Sequence, residues 1–167
     1  MYTHFSDLPA SSRVWVYQSN RKFDTSELNI IEDVLTNFIS RWQSHGAELK
    51  GSFKIMYQQF IILAVDTTTN LPSGCSIDSS VAVLKEIERT LSVDLFDRMQ
   101  ITFLEENNQI YTVNFGEIDK AVSTGKILPQ TITFNNLVDT KEKLENDWLI
   151  TASSSWLKKY FNKVTQN

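Results

Sequence analysis

The chain has 167 residues, of which 41% are hydrophobic and 22% charged, with 16 basic against 20 acidic side chains and a formal net charge of -4. A chain of this size buries a core without a disulfide or a metal, and its mild acidity excludes a general nucleic-acid coat, which needs a basic footprint. The one cysteine cannot form an internal disulfide, a usage that fits a reducing cytoplasm.

The opening "MYTHFSDLPASSR" has no basic region followed by an apolar run, so no signal peptide is expected. The first element is "RVWVYQS", Arg13 to Ser19, whose β-branched and aromatic residues predict a strand. "DTSELNIIEDVLTNFISRWQSHG" predicts a long helix. Leu28, Ile31, Leu35, Phe38 and Trp42 recur at helical spacing, Asp24 and Glu27 form a capping-box pattern, and Gly46 suits the stop. Two strand-like runs follow, "SFKIMYQ" and "FIILAVD", joined tightly around Gln58 and Gln59. The apolar stretch Phe60 to Val65 suits a central strand and is far too short to span a bilayer as a helix, so a soluble, cytoplasmic protein is expected.

After Pro72 and Gly74, the positions Ile77, Val81, Leu84, Ile87 and Leu91 predict a second amphipathic helix. "RMQITFLEENNQIYTVNF" reads as a hairpin around the polar turn "EENN". The order β-α-β-β-α-β, with one more strand after it, is the ferredoxin-like order of an α+β sandwich. Another α+β sandwich with different strand pairing has the same element order. Beyond it, Asn114 to Gly125 suggests a short helix, "QTITFNN" a short strand, and "DTKEKLENDWL" and "SSSWLKKYF" two helices. The expectation is one domain over residues 1–167: an α+β core over 1–114 and a mainly helical C-terminal extension, 115–167, packed onto it.

Together "SHGAELKG", "LAVD", "SGCSIDSSV", "VDLFDRM" and "FNNLVDTKEKLENDW" resemble a family of bacterial proteins of about this length that carries the label ABC transporter ATPase. The resemblance covers nearly the whole chain and brings no catalytic residue with it. The activity in that label needs a phosphate loop, G-x-x-x-x-G-K-[ST], whose backbone amides cradle phosphates while its Lys and hydroxyl reach phosphate and Mg²⁺. The nearest stretch, Gly46 to Phe53, has Ser52 in place of the Lys and Phe53 in place of the hydroxyl. It also follows a predicted helix and precedes a strand, the reverse of the required context. Gly125-Lys126 is followed by Ile127 and lacks the earlier Gly. These residues predict no ATP hydrolysis, and no cofactor is called for.

The functional expectation is a non-enzymatic binding or assembly domain; the alternative is a small-molecule enzyme or anion-binding protein using the loop "GCSID". In that loop Gly74 turns the chain, Ser76 is expected to cap the helix and Asp78 lies in its positive first turn. Cys75 is either a thiol activated by the helix end or a small apolar filler. A nucleophilic Cys75 needs a base, and His45, expected at the end of the first helix, is the candidate; His4 falls in the opening segment. One Cys and two His without ligand spacing predict no metal site. "DLFDR", Asp94 to Arg98, reads as a turn with Asp97 and Arg98 paired and Leu95 and Phe96 inward, and Glu145 and Asp147 as a solvated helix face. In the tail, Trp148, Trp156, Tyr160 and Phe161, with Lys158, Lys159 and Lys163 beside them, form either a homodimer or protein-partner surface, centred on Trp156, Tyr160 and Phe161, or a face docked on the protein's own core.

Overall fold

The computed structural model describes residues 1–162; Lys163 lies outside them. The architecture is α+β with open antiparallel sheets. The chain divides into two compact units. The first takes Met1–Phe96 and then Leu137–Glu145; the second takes Asp97–Asn136 and the chain from Asn146 onward. The expected division at residue 114 therefore moves to Phe96, and a short later segment rejoins the first unit.

In the first unit, a 3₁₀ turn at Phe5–Asp7 precedes β1 (Arg13–Gln18) and α1 (Thr25–Ser40). Asp24 caps α1 as expected: its carboxylate accepts from Glu27 N, and the Glu27 side chain accepts from Asp24 N. The helix does not run to Gly46. It ends at Ser40, and β2 (Gln43–Ser44) and β3 (Ala47–Glu48) form a small hairpin. Its two turn residues, His45 and Gly46, have φ of 51° and 80°. That left-handed pair is the twist a two-residue hairpin demands, so Gly46 serves a β-turn and not a helix stop.

Next come β4 (Gly51–Met56), β5 (Phe60–Val65) and α2 (Gly74–Leu91). The sheet order is β1-β5-β4, with β5 antiparallel to both neighbours and buried along its whole length. Both long helices pack on one face of it. Ile61, Leu63 and Val65 join Ile31, Leu35 and Ile39 of α1 and Leu84, Ile87 and Leu91 of α2 in one core. On α2 the buried stripe departs from the expected one: Ser76 and Ser80 are buried, while Ile77 and Val81 are only partly so. Each serine satisfies its own hydroxyl, Ser76 Oγ donating to Ser73 O and Ser80 Oγ to Ile77 O, so burial leaves no polar group stranded.

The returning segment is tied to the start of the chain. Val14 N donates to Asp139 O, Lys141 N to Ser12 O and Glu142 N to Ala10 O. The Lys141 ammonium, on a residue only 8% exposed, donates to Leu8 O at 2.7 Å and Ser6 O at 3.1 Å. The opening residues are likewise fixed: Thr3 N donates to Gly51 O, and Gly51 N to Met1 O.

The strand expected to complete the first sheet leaves it. In the second unit β6 (Gln100–Leu104) pairs with β7 (Ile110–Asn114) and with β8 (Ile132–Phe134). α3 (Ile118–Ser123) lies between β7 and β8. After α4 (Lys141–Asp147), β9 (Leu149–Thr151) pairs with β8, giving the order β7-β6-β8-β9. A complete ferredoxin-like sheet is thus not formed, because the fourth strand nucleates a second sheet. The C-terminal third contributes two strands to that sheet and is not a mainly helical extension. A single turn, α5 (Lys158–Asn162), ends the described chain. Its neighbour Leu157 is fully buried with Phe103, Val113 and Ile118 in the second core.

Candidate functional site

The "GCSID" stretch opens α2, one turn earlier than the sequence suggests. Ser73 is the N-cap: its side chain accepts from Ser76 N at 3.2 Å, and its extended backbone suits that role. Gly74, Cys75 and Ser76 are therefore the first helical residues, and Ser76 is not the cap. Its hydroxyl points back to Ser73 O, and its carbonyl accepts a 2.8 Å hydrogen bond from Trp42 Nε1. Asp78 is exposed two residues further on.

Cys75 is a free, exposed thiol, so it fills no apolar hole. Its carbonyl accepts from Ser79 Oγ at 2.9 Å. His45 is exposed at the tip of the β2–β3 hairpin and does not cap a helix. Among the described residues, no hydrogen bond, ion pair or ring contact joins His45 to Cys75, and no group of three or more His, Cys, Asp or Glu is placed to hold a metal. His4 packs its ring against Tyr2 at 6.1 Å, in a segment held to Gly51. The stretch Gly46 to Phe53 spans a hairpin turn, β3 and the start of β4, with no helix after it to receive a phosphate.

The Asp94–Arg98 turn is built from its own side chains: Asp94 Oδ1 accepts from Phe96 N, and Asp97 Oδ1 from Met99 N. Leu95 is buried as expected. Phe96 is not inward; it rests half-exposed on Tyr17, with the Lys85 ammonium over its ring.

The tail aromatics divide between core and surface. Tyr160 and Phe161 pack against the second core, whereas Trp156 stays exposed. Trp156 stacks on Phe115 with centroids 5.9 Å apart and planes 20° apart, and Lys159 Nζ lies 5.7 Å from the Trp156 ring and 5.3 Å from that of Tyr160. Phe115 N donates to Met99 O, which sets Met99 beside the pair. Met99, Phe115 and Trp156 are 49%, 40% and 48% exposed. Phe115 and Met99 give no signal in the sequence, because Met99 meets Phe115 across the end of the β6–β7 pair and Trp156 meets Phe115 only in space.

No family model matches the chain, and no curated protein or solved structure matches it. Among the described residues no helix is long and apolar enough to cross a membrane.

Proposed function

We propose that this protein works as a non-enzymatic binding or assembly domain, with the Phe115–Trp156 face of its second unit as the contact surface. The observation that carries this reading is the stacked aromatic pair left in solvent beside Met99 and Lys159. Large aromatics are rarely left exposed in a cluster unless something covers them, and Trp is the residue most enriched among energetically dominant contacts. Lys159 adds a cation held over two ring faces, which favours a partner that can also take a positive charge. The test is photo-crosslinking in cells, with p-benzoylphenylalanine in place of Phe115. A discrete covalent adduct at position 115, absent when the probe replaces the 85% exposed Leu137, supports the reading. Equal or no crosslinking from the two positions counts against it.

A second reading rests on the exposure of Cys75 in the first turn of α2: an anion-binding site or small-molecule enzyme at "GCSID". Titration with inorganic phosphate, followed by amide shifts at Ser73 to Asp78, tests it. Saturable shifts there favour this reading over the first.

A further inference from the structure

β7 is an edge of the second sheet. Its hydrogen bonds to β6 have a fixed parity. Glu105 N donates to Gln109 O at one end of the pair, and Phe115 N to Met99 O at the other. In this register the bonded pairs between those ends are Phe103–Tyr111 and Ile101–Val113. The main-chain groups of Ile110 and Thr112 and the N–H of Asn114 therefore point away from β6. Among the described residues, no other segment bonds them.

Sheet edges are ordinarily guarded by charge, proline, a bulge or shortness, or are covered by another segment. β4 carries Lys54 and is bonded at Gly51 to the opening residues. β1 is bonded at Val14 to Asp139, and β9 has only three residues. β7 is five residues long, and its register with β6 is unbroken. From Gln109 to Phe115 the chain reads "QIYTVNF", without charge, proline or glycine. Lys126 stands over the ring of Tyr111, on the face packed against the second core and outside the strand.

An open edge accepts an extended strand, because only that matches its alternating N–H and C=O groups. The charges beside β7 select which strand. Gln109 and Phe115 each lie three residues from Thr112, about 10 Å along the strand. A two-fold axis through Thr112, perpendicular to the sheet, pairs Thr112 with its own copy and Ile110 with Asn114 of the other. It also sets Gln109 opposite Phe115. The turn that carries Glu105 and Glu106 in one copy then lies beside Phe115, Trp156 and Lys159 of the other. Glu105, Glu106, Lys158 and Lys159 have no ion pair among the described residues, so neither side is already neutralised within its own chain. Opposite charges meet twice, once on each side of the axis, as an isologous interface requires.

We propose that β7 is an assembly edge, which pairs antiparallel with β7 of a second copy of this chain and covers the Phe115–Trp156 face of each copy with the 105–108 turn of the other. Two four-stranded sheets then become one. The inference rests on the reading of that face as the contact surface and names its partner.

Sedimentation equilibrium of the purified full chain over a concentration series tests this. The wild-type chain is expected to pass from monomer to dimer. Thr112→Pro removes the N–H at the axis but no bond to β6, and is expected to weaken association about tenfold or more. Lys159→Glu also weakens it, and adding Glu105→Lys and Glu106→Lys to that chain restores it. Circular dichroism checks that each variant is folded. In a Cys75→Ser background, Thr112→Cys places two thiols on the axis, with Cα atoms about 5.5 Å apart and within disulfide reach. It should give a covalent dimer on mild oxidation. Ile110→Cys, roughly 14 Å from its own copy, should not. A dimer indifferent to Thr112→Pro, a charge reversal that fails to recover, an uncrosslinked Thr112→Cys chain, or equal crosslinking at 110 and 112 each overturns the proposal. So does a purified chain that stays monomeric; if position 115 still gives a discrete adduct in cells, the contact face stands and its partner is another protein.

Discussion

The indole N–H of Trp42 donates to the main-chain carbonyl of Ser76, so the end of one long helix is fastened to the beginning of the other at a single 2.8 Å contact. Trp42 is almost wholly buried and also packs against Phe38 and Trp15. Trp42→Phe keeps an aromatic ring but loses the donor and part of the volume. The expected cost is about 1–3 kcal/mol, read as a lowered urea midpoint at unchanged m-value. A midpoint unchanged by the substitution shows the contact to be energetically idle.

Glu27 sets an acid limit on stability. The Arg21 hydrogen bond, and then the Asp24 backbone N–H, hold its carboxyl down to about 2 from an ordinary 4.5. The unfolded chain therefore takes up this proton first as pH falls. The stabilisation is complete above the unfolded value and is lost as pH drops from there towards 2. Arg21 is 44% exposed, so solvent screening leaves about 1–2 kcal/mol at neutral pH. Glu27→Gln should cost that amount at neutral pH and converge on the wild type near pH 2. Parallel stability curves for the two proteins across this range contradict the assignment.

Two glycines should respond in opposite directions to the same change. A Cβ on Gly51 meets Ile39 Cγ2 at 3.1 Å and Ala64 O at 3.2 Å, whereas one on Gly74 meets nothing within 4 Å. Gly51→Ala is expected to destabilise by about 1–3 kcal/mol, because a backbone oxygen at the centre of the sheet cannot step aside. Gly74→Ala, in the first turn of α2, should stabilise by about 0.5–1 kcal/mol through the unfolded state. Thermal melts of the two variants side by side decide the matter.

Cys75 is exposed in the first turn of α2. Ellman's reagent should label the folded protein fully without denaturant. Cys75→Ala should leave stability within about 0.5 kcal/mol of the wild type. A thiol that reacts only on unfolding places this side chain elsewhere.

Local signals were legible in the sequence wherever they did not depend on the rest of the chain. The Asp24–Glu27 box, the β4–β5 pair and the hairpin around "EENN" all involve residues a few positions apart. What misled was information held at a distance. Ile77 and Val81 have the right spacing for a buried stripe, but α2 turns Ser76 and Ser80 inward, and the Ser76 carbonyl takes the indole N–H of Trp42, a residue 34 positions away. Gly46 has the same chemistry at a helix end as at a hairpin tip, and only the pairing of Gln43 with Glu48 distinguishes them. The fourth strand obeys every local rule for the first sheet and pairs instead with Ile132–Phe134, a partner visible only in space. At the candidate site, Cys75 and His45 were proposed on residue type alone, while the exposed aromatic pair required two segments to meet.

Lys141 reaches back to the carbonyls of Ser6 and Leu8, residues made long before it. A ribosome building this chain releases β1 to β5 and both long helices, then the β6–β7 hairpin and β8, before the segment that finishes the first unit exists. Until then the carbonyls of Ala10 and Ser12 lack the amides of Glu142 and Lys141, and the N–H of Val14 lacks Asp139 O. The first unit therefore cannot be completed in order of synthesis. Its last step is a late, long-range closure, and a nascent chain halted before residue 137 leaves that unit open.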